Sequence, residues 1–169
     1  TNGAGTLDRF LQRADPPLTR EQLARVRERL GNTYEDSPLF PQPGLREWLR
    51  ELGHQGIRTG VVSSTSTKYI VTALNRMGFT GQFQVIVCGD MVKRPKPAPD
   101  SYQLAMSLLG LSPEECLAIE DSPTGIQAAR AAGLQVVGYK GGSVEQDTRK
   151  AHWEVRSFQE IPSLPPFRG

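Results

Sequence analysis

Histidine and cysteine are scarce in this chain, two of each among 169 residues. His54 ends a helix-like stretch and His152 precedes a short apolar run. Neither has a second ligand at metal-binding spacing, so both read as structural. Cys88 and Cys116 each sit inside an apolar, strand-like segment, which marks them as buried free thiols and suits a reducing cytoplasm. A dominant charge is also missing: 20 Lys and Arg against 18 Asp and Glu leave a net charge of +2. That field is too mild to argue for nucleic acid. No apolar run approaches the roughly 20 residues of a membrane span, and no signal peptide opens the sequence, so no membrane partner is expected. What remains, 37% hydrophobic and 22% charged residues, is the composition of one globular domain with a small appendage.

The pattern changes near residue 40. Before it, "LDRFLQRA" has helical apolar spacing at Leu7, Phe10, Leu11 and Ala14. A second helix follows a Pro-Pro break, with Thr19 and Gln22 as a capping box and Gly31 as its stop. Its arginine-rich face, balanced by Glu21 and Glu28, reads as solvated. "EDSPLFPQPG" is a proline-rich linker, so the chain divides into residues 1–40 and 41–169. After Leu45 helix and strand alternate. "LREWLRELGHQG", residues 67–77, "DSYQLAMSLLG" and "TGIQAARAAG" read as helices, with Trp48 on a core face. "IRTGVVSS", "FQVIVCG", "CLAIED", "LQVVGY" and "HWEVRS" read as strands. Regular alternation predicts an α/β fold, a doubly wound, mostly parallel sheet with helices on both faces.

In such a sheet ligands gather beyond the carboxyl ends of the strands. Three stretches of chemistry fall there. Ser63 follows "GVV", with Ser64 as the reserve, and a small hydroxyl beside backbone N–H groups suits a phosphate oxygen. "KRPKPAPDSY" offers Lys96, a compact charge on a loop stiffened by prolines, with Asp100 placed to cap the next helix. Read blandly, Lys96 belongs to a solvated basic loop. Glu120 and Asp121 end "CLAIED" with no lysine or arginine close by in sequence to neutralise them. A hard cation such as Mg2+ would use such a pair, Asp121 foremost. The competing use is structural: Asp121 or Ser122 caps the helix that follows, and Gly125 permits close strand–helix packing.

A hydroxyl, then a lysine, then "EDSPTGIQAARAAG", on successive strands, resembles the haloacid dehalogenase superfamily of hydrolases. The subgroup containing beta-phosphoglucomutase and sugar-phosphate phosphatases is the nearest. "VVSSTS" resembles its second motif, "KPAPDSY" its third and "IEDSPTGIQAARAAG" its fourth, across roughly residues 41–160. The resemblance implies a Rossmann-like core with a partial helical cap over residues 1–40. Ser63 and Lys96 would then be catalytic, and both of them with Ser64 would be phosphate-binding. Glu120 and Asp121 would hold Mg2+, and a small phosphorylated metabolite would be the substrate. Family members begin with an apolar strand ending in Asp-x-Asp-Gly, whose first aspartate is the nucleophile. "TNGAGTL" has no such strand. The chain is therefore expected to lack the first core strand, with a segment outside it, or a second copy, completing the sheet. Phosphohydrolysis through that external aspartate is the leading expectation. A catalytically inactive phosphate-binding or interaction protein and phosphoglucomutase-type transfer are the alternatives.

Overall fold

The computed structural model describes residues 38–142, 144 and 146–167, together with Thr19, Glu21, Gln22 and Arg25. The helix expected over "LDRFLQRA" lies outside the described residues. The expected capping box is formed: Thr19 N–H donates to Gln22 Oε1 (2.8 Å) and Gln22 N–H to Thr19 Oγ1 (3.2 Å).

From Gly44 onward the elements alternate as the sequence predicts. Gly44, in a left-handed conformation (φ 79°) that favours glycine, leads into α1, Leu45–His54, which buries Leu49 and Leu52. Then come β1 (Gly60–Val62), α2 (Thr67–Arg76), β2 (Val85–Val87) and α3 (Asp100–Leu109). The second half holds β3 (Leu117–Glu120), α4 (Pro123–Ala131), β4 (Gln135–Tyr139) and β5 (Trp153–Val155). Two 3-10 segments, Phe158–Ser163 and Pro165–Phe167, close the described chain.

All three strand pairings are parallel. Val61 lies opposite Ile86 in one sheet, Ile119 opposite Val137 and Gly138 opposite Glu154 in the other. The strands thus form two sheets, β1–β2 and β3–β4–β5. Between them runs a trough of about 570 Å³, lined by Gly60 and Val62 of β1 and by Leu117 and Ile119 of β3. Leu49 and Trp48 of α1 also line it, as do Tyr102 and Met106 of α3. No strand lies between β1 and β3 among the described residues.

Successive strand residues point to opposite faces, so β4 needs cover on both. Val136 packs with Ile126, Ala128 and Ala129 of α4 and with Tyr102 and Met106 of α3. Val137 and Tyr139 pack on the other side against Phe158 and Ile161, with Trp48 behind them. Phe158 stacks on Tyr139 at 4.7 Å and on Trp48 at 5.4 Å, the core role expected of Trp48. A third cluster, Leu49, Leu74 and Phe79, serves the β1–β2 unit. Both cysteines are free, Cys88 buried and Cys116 half-buried.

Candidate active site

The strand ends bring Ser63, Ser64, Lys96, Glu120 and Asp121 to one small pocket of about 130 Å³, shared with Ser122 and Thr124. Ser63 stays in register after β1, its N–H on the Val87 carbonyl (2.9 Å). Its Oγ accepts the N–H of Thr65 (3.1 Å), a local turn that leaves the hydroxyl proton free to donate. Ser64 lines the same pocket, and its backbone packs closely against Gly89. A side chain at Gly89 would collide with the Ser64 carbonyl, since a Cβ there would fall only 2.2 Å from its oxygen.

Lys96 is buried, 8% exposed, which rules out the solvated-loop reading. Its ammonium donates to the Val62 carbonyl at the end of β1 (3.0 Å) and to Glu120 Oε1 at the end of β3. It also lies 4.9 Å from the centre of the Tyr102 ring. Lys96 thus supplies the positive charge that the carboxylate pair lacks in sequence. Buried ion pairs need such additional hydrogen bonds to be tolerated.

Glu120, equally buried, is enclosed on every side. Tyr102 donates its hydroxyl to Oε1 at 2.5 Å, and Ser122 Oγ stands 3.4 Å from Oε2. Gly125 faces the same carboxylate so closely that a Cβ there would fall 2.0 Å from Oε2. Its role is therefore to make room for Glu120 rather than to ease strand–helix packing in general. Burial, followed by the Glu120 charge and hydrogen bond, pushes the Tyr102 phenol well above its ordinary pKa of 10.0. Tyr102 is the residue packed against this site that motif reading passed over, although it closes the quoted "KPAPDSY".

Asp121 is different. It is exposed, and no hydrogen bond or ion pair to another described residue engages its carboxylate. The cap of α4 is Ser122, whose Oγ accepts the Gly125 N–H at 3.1 Å. Among the described residues, Asp121 holds no capping or pairing role.

Two neighbouring carboxylates serve the scaffold. Asp90, after β2, accepts the N–H and hydroxyl of Thr67 (3.0 and 2.8 Å) and so caps α2 from a distance. Asp100 does not cap α3 as expected: Pro99 holds that position, and Asp100 pairs with Arg94 instead (2.7 Å). His152 Nδ1 accepts the Val136 N–H (3.0 Å), a structural clip at the start of the β4–β5 pairing. Among the described residues no cluster of three or more His, Cys, Asp and Glu could hold a metal by itself.

Comparison with known proteins gives this geometry a family. The chain is 37% identical over 145 residues to the protein CbbY of Cereibacter sphaeroides, covering 81% of this chain and 63% of that one. It is 36% identical over 121 residues to the fructose-1-phosphate phosphatase YqaB of Escherichia coli, covering 71% and 60%. Among solved structures, CbbY of Rhodobacter sphaeroides in complex with xylulose-(1,5)bisphosphate superposes with a TM-score of 0.81. That match has 29% identity and covers 95% of this chain and 75% of the other. The chain thus spans about three fifths of the length of these curated relatives. The family profile of haloacid dehalogenase-like hydrolases matches residues 4–139, and with these relatives it shows that the chain belongs to that family.

Proposed function

We propose that this chain is the larger part of a Mg2+-dependent phosphohydrolase for a small phosphate monoester such as a sugar phosphate. It would act through a phosphoaspartate on a segment outside the described residues. The observation that carries this reading is the buried Lys96–Glu120 pair set between the Ser63 hydroxyl and the unengaged Asp121 carboxylate. Within one pocket stand a fixed positive charge, a hydroxyl donor and a free anion.

The exposed Asp121 carboxylate, which no described residue engages, fits Mg2+, which takes one or two carboxylates and leaves its other positions to water and phosphate. Asp121 would hold the ion, with Glu120 beside it. When bound, Mg2+ offsets the charge on the transferring phosphoryl group. The chain's own residues do the rest. Ser63 donates its hydroxyl proton to a phosphoryl oxygen, and Lys96 neutralises a second. The entering aspartate oxygen would form its bond to phosphorus as the bond from phosphorus to the ester oxygen breaks, and the leaving alkoxide would take a proton from water. Water then cleaves the acyl phosphate to inorganic phosphate. An apolar strand in the trough between β1 and β3 would bring that aspartate to the pocket. Either a segment outside this chain or a second copy would supply it. Residues 1–40 would form part of the substrate-enclosing cap.

A second reading, phosphate binding without turnover, is favoured by one observation: no third carboxylate lines the pocket among the described residues. Calorimetric titration of Mg2+ in the presence of inorganic phosphate tests the shared site. Asp121→Asn is expected to weaken binding roughly tenfold or more without changing the thermal midpoint, and equal heats from both proteins reject the site. An aryl phosphate then tests whether the nucleophile lies within this chain. The chain alone should give background turnover with Mg2+, and turnover abolished by Asp121→Ala would place the nucleophile within this chain.

A further inference from the structure

We infer that Tyr102 is a positioning residue, which locks Glu120 and through it aims the Lys96 ammonium at the phosphate pocket. The inference rests on the phosphate-site reading above. It goes beyond that reading by giving a role to a side chain that lies outside the phosphate pocket.

Tyr102 stands in the first turn of α3, 7% exposed. Its hydroxyl reaches Glu120 Oε1 at 2.5 Å, and its ring lies 4.9 Å from the Lys96 nitrogen. Glu120 Oε1 therefore receives two donors, Lys96 and Tyr102, while Oε2 lies over Gly125, where a side chain would displace it. Two donors on Oε1, with Ser122 Oγ 3.4 Å from Oε2, set the orientation of this carboxylate. A lysine ammonium has three N–H donors, and Lys96 uses two, on the Val62 carbonyl and on Glu120. The third is left for the pocket that Lys96 lines. The aromatic face of Tyr102 adds a further attraction for the cation. Without the phenol hydroxyl, Oε1 keeps one donor, the carboxylate can turn, and the ammonium turns with it.

Tyr102→Phe removes only the hydroxyl and keeps the ring. Met106→Leu, one turn further along α3 and also buried, controls for a general loosening of that helix. In 15N-labelled protein a slowly exchanging Lys96 ammonium signal, identified by its loss in Lys96→Met, is expected in wild type and in Met106→Leu. It should be lost or strongly broadened in Tyr102→Phe. Persistence of the signal in Tyr102→Phe, or equal loss in Met106→Leu, overturns the inference. Inorganic phosphate, titrated with Mg2+ present, should bind Tyr102→Phe about fivefold more weakly than wild type, and equal affinity would also overturn it. A wild type that binds no phosphate defeats the phosphate-site reading instead, and the ammonium comparison still decides the role of Tyr102.

Discussion

At the scale of single residues, the Lys96–Glu120 pair dominates. Both side chains are less than a tenth exposed, so each is tolerable only because of the other. Removing one partner of such a pair leaves an unpaired buried charge, a loss of about 3–5 kcal/mol, whereas replacing both costs far less. Urea unfolding should therefore show Lys96→Met strongly destabilised and Lys96→Met with Glu120→Gln clearly more stable than Lys96→Met. If the double variant is as unstable as the sum of the singles, the two side chains are energetically independent. The sequence singles out both residues as candidate ligand groups, because each follows an apolar run in a distinctive motif. It could not show them paired, since 24 residues separate them and only the fold brings the loop after β2 over the end of β3. Tyr102 was illegible for a related reason. A tyrosine at a helical core spacing looks like packing until a buried carboxylate is found beneath its hydroxyl.

The elements were legible where their signals are local. Gly110 ends α3 and Gly133 follows α4, both in left-handed conformations (φ 64° and 87°), as helix stops written in the sequence. Strand lengths were not. "FQVIVCG" yields only Val85–Val87, because a strand extends only as far as its neighbour pairs with it. The N-terminus of α2 shows the same limit. Ser66 makes no side-chain cap, and the capping group is Asp90, 23 residues after Thr67. The hydroxyl and then the N–H of Thr67, both donating to Asp90, hold its carboxyl below the ordinary pKa of 3.8. A depressed folded-state pKa gives stability that is fully present above the unfolded value and is lost as pH falls through the folded one. Acid titration below about pH 4 should therefore release α2 early. Thr67 amide protection, followed by NMR, should fall across that window in wild type and stay flat in Asp90→Asn. Matching profiles in the two proteins would remove Asp90 from the capping role.

For the whole molecule, the alternation of helix and strand made the parallel, doubly wound architecture readable, and the division into two sheets follows from β1 and β3 having no ladder between them. Hydrogen-bonded units without a shared ladder open separately. Native-state amide exchange should place fully buried Val136 and Val137 of β4 in a slow class and Val61 and Ile86 of the two-stranded sheet in a faster one. Low urea should accelerate the second class first, and a single opening free energy for both would mark one cooperative unit. The ammonium of Lys96 touches both sides of that division, through the Val62 carbonyl and the Glu120 carboxylate. An anion that draws on this ammonium changes the tie between the halves, and anything that alters the width of the gap changes the charge offered to the anion. By thermodynamic reciprocity the two events would carry the same coupling free energy, so on the proposed phosphate-site reading phosphate affinity would gauge any strand that fills the gap.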